Sequence, residues 1–209
     1  MYAAVMDILA KGGPVMIPLV LVSVMAVAIS LERMWYFARL RGDRHDLMEE
    51  LRVYLYEGRL LEAMQSIRRY NGPTAAILAE GLAAWDRSVD EVRQRLERVG
   101  QEEVLKMEAR MAWLDAIVTG APMLGLLGTV TGIIRSFRIL SQLQGIEQPS
   151  ALSAGIAEAL ITTAAGLVIA VPVLFVYVYF STLIDRRVAQ LNRVSAQFLQ
   201  LLTEVRGKG

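Results

Sequence analysis

Three long stretches of the chain lack charged side chains, and this constrains the fold more than any other feature. Residues 12–31, 116–134 and 159–184 form uncharged runs of 20, 19 and 26 residues. A helix needs about 20 apolar residues to cross the roughly 30 Å hydrocarbon core of a bilayer. The whole chain is 55% hydrophobic, with a mean hydropathy of +0.41. The sequence therefore predicts an all-α membrane protein with three transmembrane helices.

Basic residues predict the orientation of these helices. Arginines cluster after the first run (33–44) and after the third (186–193), whereas residues 141–154 contain none. Because positive residues concentrate on the cytoplasmic side, we expect the N-terminus outside and the C-terminus in the cytoplasm. Arg135 and Arg138 lie at the outer end of the second run and weakly oppose this orientation.

The same signals divide the chain into seven segments. Gly58 and residues 71–73 (Asn-Gly-Pro) interrupt the helical pattern of the charged region. We expect a long helix from Thr74 to run without a break into the second span. The predicted segments are an outer interfacial amphipathic helix (1–13), a first span (14–31), a cytoplasmic helical region (32–115), a second span (116–140), a periplasmic loop (141–154), a third span (155–184) and a cytoplasmic C-terminal helix (185–209).

Several classes of function lack the residues they need. The chain has no cysteine and a single histidine, His45, in a charged segment. This excludes disulfides and thiolate metal sites. The charged region 32–115 mixes acids and bases in the manner of a solvated helical surface. A net charge of +1 gives no reason to expect nucleic-acid binding. We therefore expect no enzyme, no cofactor and no resident metal.

Small residues crowd the second span and recur in the third. Gly128 and Gly132 are one helical turn apart, a spacing that lets helix backbones approach closely. Packing within one chain explains such a face, but its extent exceeds what three helices should need and favours contact with further copies. The candidate packing residues are Gly125, Gly128, Gly132, Gly166, Pro122 and Pro172.

Polar groups inside these apolar helices are the candidate functional residues. Thr129 lies in the second span, and Thr162 and Thr163 lie in the third. They either bond backbone carbonyls of their own helix or line a polar path for an ion. Glu158 is either a buried functional acid or a charge near the outer helix end, favoured by the helix dipole. Thr162 shares the face of Glu158, whereas Thr163 lies about 140° away.

Two motifs carry a family resemblance. APMLGLLGTVTGIIRSF (121–137) followed by GIAEALITTAAGLVIAVP (155–172) resembles the paired signature of the MotA/TolQ/ExbB proton-channel family, in its ExbB/TolQ-like branch. The resemblance implies a pentameric ring in the bacterial inner membrane around a dimer of an ExbD/TolR-like single-span protein. The partner's aspartate would carry the ion, Thr129 and Thr163 would form a polar ring facing it, and Glu158 would have a structural or tuning role.

Alternatives remain open at this level. A non-conducting helical scaffold that anchors a partner would tolerate valine or alanine at Thr129 and Thr163. A small transporter lacks the inverted repeat and the substrate-binding charge it would need. A proton is the expected ion, although threonines on the path are also compatible with sodium. The process that a motor of this kind would power, whether import, envelope constriction or motility, is not specified by these residues.

Overall fold

The computed structural model describes residues 12–40, 47–142 and 149–207. These residues form seven α-helices and no strand, which confirms the all-α prediction. The helices are α1 (Met16–Arg39), α2 (Leu47–Tyr56), α3 (Leu60–Ile67), α4 (Pro73–Ala83), α5 (Val89–Glu108), α6 (Met111–Gln142) and α7 (Pro149–Arg206).

Three helical stretches are long and apolar enough to cross a membrane, as predicted. They lie within Met16–Arg39, Val89–Arg138 and Gly155–Arg206. The predicted interfacial helix 1–13 lies outside the described residues except for its last two positions. The predicted loop 141–154 is shorter than expected, because α6 ends at Gln142 and α7 already begins at Pro149.

The predicted uninterrupted helix from Thr74 into the second span is wrong. The helix ends at Ala83, restarts at Val89 and is broken again at Arg110, whose φ is +66°. Ser88 accepts from the amide of Glu91, and the Glu91 carboxylate accepts from the amide of Ser88. This capping box satisfies the exposed amides at the start of α5. The predicted interruptions at Gly58 and 71–73 are confirmed.

The described chain divides into two compact units. One, termed here the apolar unit, comprises residues up to 32 and residues 110–179. Within it Val15, just before α1, and Met16 and Leu19 of α1 pack on Ala121 and Ala170. This cluster joins the three spans within one chain.

The second, termed the charged unit, comprises residues 33–109 and 180–209. Its core consists of large side chains, with Phe198 fully buried and in edge-to-face contact with Trp85 at 6.2 Å between ring centroids. Tyr56 donates to Glu204 at 2.7 Å, and this hydrogen bond raises the pKa of the tyrosine. A hydrogen bond to Glu103 likewise raises the pKa of Lys106.

Candidate functional site

Glycines bring the backbones of α6 and α7 into direct contact. A Cβ atom on Gly166 would lie 2.5 Å from the carbonyl oxygen of Ala121, and one on Gly125 would lie 3.0 Å from the Cα of Thr163. A Cβ on Gly128 would overlap the side chain of Thr162. No larger residue fits at these positions without separating the helices.

The expectation that this small face also contacts further copies stays a prediction, but four of its glycines already pack within one chain. Gly125, Gly128, Gly132 and Gly166 all meet the facing helix of the same chain. Lipid gives helices no hydrophobic reason to associate, so close van der Waals contact must hold the pair together. These four glycines provide that contact. Only Gly120, where a Cβ would meet nothing within 4 Å, stands apart from it.

Both prolines lie inside continuous helices. Pro122 is half-buried within α6, and Pro172 is exposed within α7. Each lacks the amide that would close a helical hydrogen bond, which membrane helices tolerate when neighbours satisfy the freed carbonyl. The structure gives neither proline a polar partner role.

Thr162 occupies a junction of three segments. Its hydroxyl oxygen lies 2.8 Å from the carbonyl oxygen of Gly12 and 2.9 Å from that of Glu158. The residue has no exposed surface within the chain. The contact fixes the turn before α1 against α7, and an ion-path role for Thr162 stays a prediction.

Thr163 and Thr129 make different hydrogen bonds. The Thr163 hydroxyl donates across the helix pair to the carbonyl of Gly125 at 3.0 Å, whereas Thr129 donates to Leu126 in its own helix at 2.6 Å. Both threonines are half-buried. A hydroxyl has one proton and two lone pairs. Because each of these hydroxyls already donates to a carbonyl, it can still accept a hydrogen bond but cannot donate another. The two side chains offer acceptors rather than donors.

Glu158 is paired with a residue that the sequence interpretation did not assign to the site. Its two carboxylate oxygens lie 3.1 and 3.3 Å from Nη1 of Arg135 on α6. The Glu158 side chain is 20% exposed and that of Arg135 is 56% exposed. The carboxylate therefore has a counter-ion within its own chain.

One sequence signal could have identified this pair. Glu158 and Arg135 are the charges that bound two of the uncharged runs, and successive spans run in opposite directions. The charge ending the second span therefore faces the charge beginning the third.

Gly13 completes the surroundings of Glu158. A Cβ on Gly13 would overlap the Glu158 carboxylate, and the φ of Gly13 is +70°, a conformation that glycine adopts without strain. Together with the Gly12–Thr162 contact, this places the start of α1 directly on the charged pair. Glu158 thus links all three spans near one end of the apolar unit.

The described residues offer no donor set for a bound metal. No group of three or more His, Cys, Asp or Glu side chains converges in the described ranges. Within the uncharged runs the sequence has no carboxylate, lysine or histidine at all. The site is thus a helix pair with hydroxyl acceptors, bordered by one ion pair.

Comparison with known proteins assigns this helix pair to a family. Residues 69–193, which include α6 and the apolar part of α7, match the model of the MotA/TolQ/ExbB proton channel family. The chain is 30% identical over 195 residues to a putative biopolymer transport protein ExbB homolog of Methanothermobacter thermautotrophicus, covering 92% of this chain and 68% of the relative.

Two further relatives agree. A putative biopolymer transport protein ExbB-like 1 of Synechocystis is 32% identical over 193 residues, covering 91% of this chain and 75% of the relative. The Tol-Pal system protein TolQ of Pseudomonas aeruginosa is 36% identical over 97 residues, covering 46% of this chain and 42% of the relative. With its three apolar helices and the matched segment, the chain belongs to the MotA/TolQ/ExbB proton channel family, in the branch of the ExbB and TolQ proteins.

Proposed function

We propose that this protein is the ring subunit of a motor driven by the proton motive force in a bacterial inner membrane. Five copies would surround a dimer of an ExbD/TolR-like single-span protein and convert ion flow into work on envelope partners. The N-terminus would be periplasmic and the C-terminus cytoplasmic. Membership in a proton channel family supports the ion-conducting part of this proposal.

The proposal rests on the absence of charged side chains from the interior of the three spans. The uncharged runs contain no carboxylate, lysine or histidine, and Glu158 at their border is paired with Arg135. A proton path across a membrane needs a titratable group near its middle. The group that carries the ion must therefore come from a partner, and an acid on a single-span helix meets the requirement.

The hydroxyl acceptors suggest how such an acid would pass. The hydroxyl groups of Thr129 and Thr163 both donate hydrogen bonds to backbone carbonyls. They can accept a hydrogen bond from a protonated carboxyl group, but they have no proton left to offer to a carboxylate. The ring would therefore favour the neutral, protonated acid. One charge crossing about 100 mV releases roughly 2.3 kcal/mol, which would bias a rotational step.

The first experiment determines the subunit composition of the complex. The chain is co-expressed with a single-span protein that carries a membrane aspartate, extracted gently, and weighed intact by native mass spectrometry. Five copies of this chain with two of the small protein are expected. A monomer or dimer of this chain would contradict the ring.

Flux is the second experiment. Proton uptake is measured in liposomes that contain the assembled complex, with Thr163→Val and Thr129→Val as variants. We expect lower flux with an unchanged subunit composition. Wild-type flux in both variants would remove the two threonines from the ion path and leave them only a packing role, whereas absence of flux in the wild-type complex would favour the non-conducting scaffold. Replacing the proton gradient by a sodium gradient distinguishes the two ions.

A further inference from the structure

The charged unit contains a groove whose charged lining is entirely basic. The groove lies between α7 and the beginnings of α2 and α4, with a volume of about 700 Å³. Arg186, Arg187 and Arg193 line it, and no described residue in its lining is acidic. Interleaved acids and bases cover the rest of this unit, so a groove with three cations and no acid is an exception within it.

Two of the three arginines form one stripe along α7 with two glutamines. Arg186, Gln190, Arg193 and Gln197 recur at intervals of four, three and four residues, which keeps them within about 60° of each other on a helix. Asp185 is one residue from Arg186 and therefore projects about 100° away from it. The stripe offers hydrogen-bond donors without a competing carboxylate on the same face.

Two of these arginines have no partner in the described ranges. Arg187 donates to the carbonyl of Leu40 and to Gln190, at 3.2 Å in both cases. Arg186 and Arg193, in contrast, are exposed and form neither an ion pair nor a hydrogen bond with any described residue. Within the described ranges, no acidic side chain competes with an anion for their guanidinium groups.

A helix terminus adds to the positive character of the groove. Thr74, the second residue of α4, lines the groove, and the cap residue Gly72 has no side chain with which to accept from the first amides. The first turn of a helix carries partial positive charge. The groove therefore combines this turn with the arginine stripe.

The position of the stripe along α7 identifies the source of the anion. The uncharged run 159–184 ends two residues before Arg186, about 3 Å along the helix. A hydrocarbon core that ends with this run would place Arg186 in the headgroup layer, which extends roughly 5–7 Å beyond the core. Arg193 lies about 10 Å further along, from where a long side chain extends back toward the interface.

We propose that this groove binds the phosphate headgroup of an anionic phospholipid, with Arg186 and Arg193 as its main ligands. Leu183, at the membrane end of the lining, would meet the first methylenes of an acyl chain. Basic pockets beside membrane helices recognise lipid phosphates in this manner. The inference requires only that α7 crosses a membrane, and it does not depend on the ring or on ion flow.

The test uses the purified full chain in its native oligomeric state. Phosphatidylglycerol is titrated into the delipidated protein, and bound lipid is counted by native mass spectrometry against phosphatidylcholine. Wild type should bind phosphatidylglycerol several-fold more tightly than phosphatidylcholine. Arg186→Gln and Arg193→Gln should each weaken phosphatidylglycerol binding about fivefold, and the double variant about 25-fold.

Matched variants separate a built site from general positive charge. Arg206→Gln removes an exposed arginine of the same helix outside the groove, and its phosphatidylglycerol affinity should equal that of wild type. The double lysine variant should retain most of the lipid preference because it keeps both charges. The native mass of the intact oligomer shows whether each variant still assembles as wild type does.

Two results would overturn the proposal. One is unchanged phosphatidylglycerol binding in the double glutamine variant. The other is displacement of phosphatidylglycerol by equimolar inorganic phosphate, which would identify a soluble anion as the occupant. Because neither readout involves the single-span partner, failure here leaves the motor proposal intact, and failure of the motor proposal leaves this one intact.

Discussion

The contact between α6 and α7 in the apolar unit and the core of the charged unit are packed in different ways. In the apolar unit small residues such as Ala121, Gly125 and Gly128 are buried, while Leu126, Val168 and Phe175 are exposed by 62%, 71% and 70%. In the charged unit large side chains form the interior. Its fully buried residues include Phe198, Leu51, Leu78, Leu96, Met107 and Leu202.

The difference follows from the surroundings of each unit. Water drives large apolar side chains inward, at roughly 25 cal/mol per Å² of apolar area buried. Lipid is as apolar as leucine, so leucine gains nothing by turning inward there. What remains is close contact between backbones, and small residues permit it. The small residues at the contact between α6 and α7 therefore fit a lipid surrounding, and the large core side chains of the charged unit fit water.

Removal of a large core side chain from the charged unit should give the largest effect. Phe198→Ala should destabilise that unit by about 3–5 kcal/mol, because the lost ring leaves a cavity. The matched variant Phe175→Ala removes the same ring from a position that is 70% exposed within the chain and should change little. Thermal unfolding followed by near-ultraviolet circular dichroism compares them, since Trp85 contacts Phe198 directly. Equal losses would contradict the contrast between the units.

Enlarging a small buried residue should instead destabilise the apolar unit. Gly166→Ala places a methyl group 2.5 Å from the carbonyl oxygen of Ala121, and overpacking of this kind costs about 1–3 kcal/mol. Gly120→Ala is the control, since a Cβ there meets nothing within 4 Å. The midpoint of thermal aggregation of the extracted protein is the measurement. A larger drop for Gly120→Ala would show that Gly120 has a contact outside the single chain.

The membrane part was more predictable from the sequence than the charged part. Uncharged runs such as 159–184 identify spans because length and charge alone decide whether a helix can cross a bilayer. The break at Ala109–Arg110 carries no glycine or proline signal. Arg33 is buried and donates to the carbonyls of Lys106 and Met107, both at 3.3 Å. A continuous helix would use these carbonyls for its own amides, so a residue 73 positions away ends α5.

The candidate site was predicted in its residues but not in their contacts. Glu158, Thr129 and Thr163 are identifiable from the sequence as polar groups in apolar helices, and Ser88 with Glu91 three residues later is the sequence signal for the start of α5. Arg135 was interpreted only as a charge opposing the orientation. Its role as the partner of Glu158 depends on the relative register of α6 and α7. That register is set by which glycine meets which backbone atom, and no single-helix pattern encodes it.

The ion pair should have an intermediate effect that depends on both partners. Glu158→Gln and Arg135→Gln each leave one charge without its counter-ion at the border of the apolar unit, so each should lower the thermal midpoint. The double variant removes both charges and should lie closer to wild type than either single variant, as expected when the cost is an unpaired charge. A double variant equal to the sum of the two losses would mean that the side chains act independently.

The two threonines should give the smallest effects and distinguish packing from the ion path. Thr163→Val removes a hydrogen bond between helices, worth about 0.6 kcal/mol on average in a membrane. Thr129→Val removes a bond to its own helix and should leave stability unchanged, because α6 keeps its backbone hydrogen bonds. Thermal midpoints of the assembled complex, measured on the same preparations as proton flux, decide the matter. If Thr129→Val lowers flux without lowering stability, its hydroxyl acts on the ion path and not in packing. If Thr163→Val lowers both in proportion, its contribution to flux is the helix contact with Gly125.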